Sequence, residues 1–95
     1  MKGQTVKKIA MKKVEFQLAV EPGSQVFVAG TFNNWNPTAN PLKDNPGSGH
    51  CKTIVQVSPG THEYKFVVDG VWTSDPKCAN WIPDGHGTMN SVICV

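Results

Sequence analysis

Apolar residues recur at every second position in several short runs, which is the spacing of half-buried strands rather than of helices. Val14, Phe16, Leu18 and Val20 alternate with Glu15 and Gln17. Tyr64, Phe66 and Val68 share one face of a second run, and Lys65, Val67 and Asp69 share the other. That run ends in Asp69-Gly70, a dipeptide suited to a two-residue hairpin turn because both central residues need φ > 0. The chain is therefore expected to double back and carry Trp72 to the end of the same sheet. Residues 25–30 (QVFVAG) are too continuously apolar for one wet face and predict a central strand covered on both sides. Residues 51–57 (CKTIVQV) and 88–95 (TMNSVICV) complete the predicted strands. Glu21-Pro22-Gly23 and Ser58-Pro59-Gly60 mark turns, proline presetting φ and glycine permitting the sharp bend.

Two segments break this pattern. Residues 31–49 contain Asn36-Pro37, Asn40-Pro41 and Asn45-Pro46. Proline removes a ladder donor and restricts its neighbour, so the whole segment is expected to be a long loop, with Trp35 near its start. Residues 75–87 form a second predicted loop carrying Trp81 and His86. About seven short strands separated by turns predict an all-β protein, an antiparallel β-sandwich of immunoglobulin-like type. Nine Gly and seven Pro among 95 residues fit that class, and the length fits one domain. Residues 1–12 are expected to be a basic lead-in and residues 13–95 the sandwich.

Charge narrows the partners. The net charge is only +2, and five of the nine basic residues, Lys2, Lys7, Lys8, Lys12 and Lys13, lie in the first thirteen positions. Such a block is expected to be a solvated tail. Arginine, whose planar fork serves phosphate and base recognition, is absent from the sequence. Nucleic acid is therefore not an expected partner. No run approaches membrane-spanning length and no signal peptide opens the chain, so the expectation is a cytoplasmic protein without a membrane partner. Cys51, Cys78 and Cys94 form no CxxC pair, which argues for free thiols and against zinc, although one disulfide stays open.

Catalytic chemistry is poorly supported. No nucleophile elbow, HExxH or phosphate loop occurs. Asp69 is accounted for by its turn, and Asp75 by the start of a loop before Pro76. No catalytic residue, cofactor or metal is expected. The aromatics are more informative. Phe16, Tyr64 and Phe66 occupy inward positions, whereas Trp35, Trp72 and Trp81 fall in loops or at strand ends. Three tryptophans outside the core suggest a binding surface. An indole buries the C–H face of a pyranose, and Asn and Lys side chains can hydrogen-bond its hydroxyl rim. Nucleobases could stack on the same rings, but that needs a basic groove, and Lys65 is the lone lysine of the tryptophan region.

Three blocks, VFVAGTFNNWNP, SPGTHEYKFVVDGVWTSDP and GTMNSVICV, together resemble the glycogen-binding domain of the AMP-activated protein kinase β subunit. More broadly they are similar to family-48 carbohydrate-binding modules. The resemblance runs from about Val14 to Val95. It implies an early-set immunoglobulin-like sandwich that binds α-1,4-glucans such as glycogen, starch or maltooligosaccharides without catalysis. It assigns stacking to Trp35 and Trp72, and hydroxyl contacts to Lys65 and Asn90. The family has a leucine two positions before the threonine of the last block; here that position is His86, which is expected to line the edge of the site. Trp81 lies outside the family pattern and is expected either to add a third stacking platform or to cap the core. Residues 38–49 are longer than in the kinase domain. The alternative reading is a structural or protein-interaction sandwich that supports a glycogen- or starch-metabolising enzyme or a kinase subunit and binds no sugar itself.

Overall fold

The computed structural model describes residues 10–44 and 48–95. The described chain is all strand: β1 (Lys12–Ala19), β2 (Val26–Gly30), β3 (Pro41–Asp44), β4 (His50–Val57), β5 (Thr61–Val68), β6 (Val71–Thr73), β7 (Trp81–Pro83) and β8 (Met89–Cys94). Every pairing is antiparallel, in the order β1-β4-β3-β2-β5-β8-β7, with β6 also on β5. The expected β-sandwich is present, with eight strands where about seven were predicted.

β3 joins the two layers. Its first half pairs with β2, Val26 opposite Leu42, and its second half with β4, Lys43 opposite Lys52. This strand corrects the expectation of a continuous loop over residues 31–49. Pro41 opens the strand, where a missing ladder donor is tolerated, and Leu42 supplies a buried apolar side chain. Residues 45–47 of that loop lie outside the described residues, as do residues 1–9 of the basic lead-in. Lys12 and Lys13 belong to β1. The second predicted loop likewise contains a short strand, β7, which ends at Pro83 on the sheet edge.

The core forms where the two layers face each other. Phe16, Leu18, Val26, Val28, Leu42, Val55, Val57, Tyr64 and Phe66 are buried in it. The alternation seen in the sequence places them there: Val28 lies opposite Phe66, and both are fully buried. Aromatic edges set the packing, with Phe16 and Tyr64 ring centroids 4.9 Å apart and Tyr64 and Phe66 5.8 Å apart, both near T-shaped. The Tyr64 hydroxyl leaves the core to donate to Asp75 Oδ2 at 2.7 Å. Burial first, and then this bond, push the phenol well above its ordinary pKa. The three cysteines are free thiols, and burial pushes the Cys51 thiol up.

The β5–β6 hairpin forms as predicted. Asp69 and Gly70 have φ of 48° and 83°, both left-handed. Asp69 also ties the turn to β2: its Oδ1 accepts from the Gln25 amide at 2.9 Å, and its own amide donates to the Gln25 carbonyl at 2.8 Å. β5 pairs with β8 through Thr61 to Tyr64 and with β6 through Phe66 to Val68. One edge of β5 thus carries two strands end to end.

Candidate functional site

The outer face of the larger layer, turned away from the core, carries the candidate site. Glu63, Lys65 and Val67 of β5 point to it by alternation with Tyr64 and Phe66. Lys65 lies opposite Ala29 of β2, whose small side chain leaves room above the sheet. Val67 lies opposite Trp72 of β6. Asn90 of β8 shares the face, because its neighbour Ser91 is the residue paired with Tyr64. The Ser91 hydroxyl, turned the other way, accepts from the Asp75 amide at 3.0 Å.

An outward strand position would by itself leave Lys65 facing solvent; the face is as predicted, but the side chain is covered. Its side chain is only 11% exposed, and its ammonium donates to Asp84 Oδ2 and Thr88 Oγ1, each at 2.7 Å. The β7–β8 loop folds over it. Gly85 and Gly87 take left-handed φ, and Asp84 closes the loop on itself by accepting from the His86 amide at 2.7 Å and the Thr88 amide at 3.3 Å. The Thr88 hydroxyl also donates to Asp84 Oδ2. The Lys65 ammonium first, then the Thr88 hydroxyl and the His86 amide, hold the Asp84 carboxyl well below the usual carboxylate range. An ammonium has three N–H donors, so Lys65 keeps one beyond these two bonds. Asn90 is also buried, and its Nδ2 donates to Glu63 Oε1 at 2.9 Å.

Trp35 reaches the same place from the segment after β2. Asn33 organises that segment: its Oδ1 accepts from the Gly30 amide at 3.0 Å, and its Nδ2 donates to the Val28 carbonyl at 3.0 Å and to Asn40 Oδ1 at 2.6 Å. The amides of Asn33 and Trp35 both donate to the Gly30 carbonyl. The chain then passes through two consecutive left-handed residues, Asn34 at φ 57° and Trp35 at φ 58°. Asparagine adopts this conformation readily; tryptophan does so at a cost of order 1 kcal/mol. Gly30 is required beneath, since a Cβ there would collide with the Glu63 carbonyl.

Trp35, Lys65, Trp72, His86 and Asn90 line one open cleft of about 500 Å³, together with Thr31, Glu63 and Asp84. Three distant segments of the chain thus converge. Trp72 is 43% exposed, Trp35 is half-buried and His86 is exposed. Trp81 does not line the cleft. It sits on the edge strand β7 opposite Ser91, on the side of the sheet away from the cleft, and is 47% exposed. Sequence reasoning missed Asn33, Glu63, Asp84 and Thr88. The available signal was a lysine on an outward strand position, which calls for a counter-charge, and an aspartate opening a Gly-x-Gly-Thr turn. Among the described residues Glu63 has no cationic partner. With Lys65 neutralised by Asp84, the cleft leans negative, which disfavours phosphate.

A β-sandwich with two indoles and a set of fixed, largely neutralised polar groups in one open cleft defines a ligand-recognition module. The family described as the glycogen recognition site of AMP-activated protein kinase matches residues 13–95, and the chain belongs to that family of non-catalytic glycogen-recognising domains. It is 36% identical over 75 residues to the 5'-AMP-activated protein kinase subunit beta-2 of Mus musculus and to that of Homo sapiens, which covers 79% of this chain. It is 36% identical over 73 residues to the subunit beta-1 of Sus scrofa, covering 77% of this chain and 56% of the relative. The matched region spans 26% of the length of the beta-2 relatives.

Proposed function

We propose that residues 13–95 form a folded unit that binds α-1,4-glucan chains, as in glycogen, starch and maltooligosaccharides, in the cleft between Trp35 and Trp72. The observation that carries this reading is the convergence of five side chains from three segments into one cleft. The two indoles bury the C–H faces of glucose rings. The remaining Lys65 N–H, the second Asn90 N–H, the Asn90 carbonyl and the free Glu63 oxygen hydrogen-bond the hydroxyls. Lys65 and Asn90 are held by Asp84, Thr88 and Glu63 before ligand arrives, so little side-chain entropy is lost on binding. His86 lines the rim. The left-handed backbone at Trp35 supports the same reading, because such strain concentrates at ligand clamps.

The relatives are named as kinase subunits. A role in bringing a kinase, or a glucan-metabolising enzyme, to its glucan in the cytoplasm therefore belongs to this proposal. The sandwich that only supports another protein is the second reading, and the ordered polar groups around an open cleft speak against it. Titration with maltoheptaose or β-cyclodextrin, read by tryptophan fluorescence, tests the proposal: a saturable change in the millimolar range or below is expected, and its absence would overturn the reading. Binding should hardly change with salt, whereas a nucleic-acid site would weaken steeply.

A further inference from the structure

Trp72 has two sides. One faces the cleft described above; the other forms a wall of a separate groove of about 350 Å³ on the same outer face. The register explains its floor. Phe27, Val67 and Trp72 lie side by side across β2, β5 and β6, so three apolar side chains make one row. Phe27 is half-buried, and Val67 lies buried between its neighbours. Pro37 and Thr38 rise from the segment after Trp35 to form one rim, and Gln25 stands beside the hairpin turn at the other. Gln25 holds that turn through its backbone alone, which leaves its side-chain amide exposed. Among the described residues no charged one lines the groove.

We propose that this groove binds the continuation of the same α-glucan chain, adding a subsite beyond Trp72. The inference rests on the cleft reading above and extends it. An uncharged groove with an apolar floor, and with a hydroxyl and an amide at its rims, suits the C–H face and hydroxyls of a neutral sugar. Trp72 makes it continuous with the cleft, so a chain stacked on one side of the indole is delivered to the other.

The test is a maltooligosaccharide length series, maltotriose to maltoheptaose, by calorimetry, with amide chemical shifts followed in parallel. Short chains report the cleft; the gain with length reports the groove. We expect Kd to tighten about tenfold from the shortest to the longest chain, with the Gly70 and Thr38 amides shifting only for long chains. Gln25→Arg, which fills the groove from its exposed rim, should lose that gain. Phe27→Ala should lose it too, and a shift spectrum like that of the wild type certifies its fold. Maltotriose binding with no gain along the series, or a gain that survives Gln25→Arg, overturns the groove and leaves the cleft standing. No binding of any chain overturns both.

Discussion

Replacing Trp72 with alanine removes one indole while leaving the frame of the site in place. The ring is 43% exposed, so of the roughly 250 Å² of a tryptophan side chain about 110 Å² is open to ligand. At ~25 cal/mol per Å², covering all of it gives ~2.7 kcal/mol, and covering about one face gives ~1.3 kcal/mol. The expected loss is therefore between about tenfold and a hundredfold in Kd. The fold should survive, because the hairpin is set by Asp69 and Gly70 and the core lies on the other side of the sheet. Uncovering Val67 should cost about 1 kcal/mol, a fall in Tm of ~5 °C. Calorimetry with maltoheptaose and cosedimentation with glycogen measure the binding, and thermal unfolding followed by circular dichroism measures the fold. A folded Trp72→Ala variant that binds maltoheptaose within about threefold of the wild type would refute stacking at this position.

Four further outcomes follow from the same geometry. Asn33→Ala strips the bonds to Gly30, Val28 and Asn40 and should lower stability by about 2 kcal/mol in urea titration, while weakening glucan binding through a loosened Trp35. Tyr64→Phe leaves Asp75 without its phenol donor and should cost about 2 kcal/mol in the same assay. Asp84 has a depressed folded pKa, so its contribution is fully present above the ordinary carboxylate value of about 4 and is lost as pH falls through the lower folded value. The Tm difference between wild type and Asp84→Asn should thus be constant from neutral pH to about 5 and shrink in stronger acid. Glu63→Gln keeps an acceptor for Asn90 and removes the unpaired charge, so affinity for a phosphorylated maltooligosaccharide should rise roughly fivefold relative to the neutral sugar.

The sandwich was legible in the residues because its signals are local. Period-two alternation puts Phe16, Tyr64 and Phe66 inside whatever the partner strand is. Asp69-Gly70 was readable as a turn because both residues accept left-handed φ, as the values of 48° and 83° record, and the two bonds to Gln25 only add to that local preference. The same alternation put Lys65 on the outer face and Trp72 beyond the hairpin. The two short strands missed, β3 and β7, contain or adjoin prolines, which argue against strand locally. They are strands because edge positions and a layer crossing tolerate a missing donor, and that is a property of the assembled sheet.

What the tertiary structure alone decided is the state of the site. Whether a lysine on an outward position is free or held depends on a carboxylate nineteen residues away being folded back over it. The convergence of Trp35, Trp72 and Asn90 depends on which strands become neighbours, and the lone position of Trp81 depends on β7 being an edge. Patterning along the chain specifies the direction in which each side chain leaves its strand. Its partner across space follows only from strand order and loop closure, which no local stretch encodes.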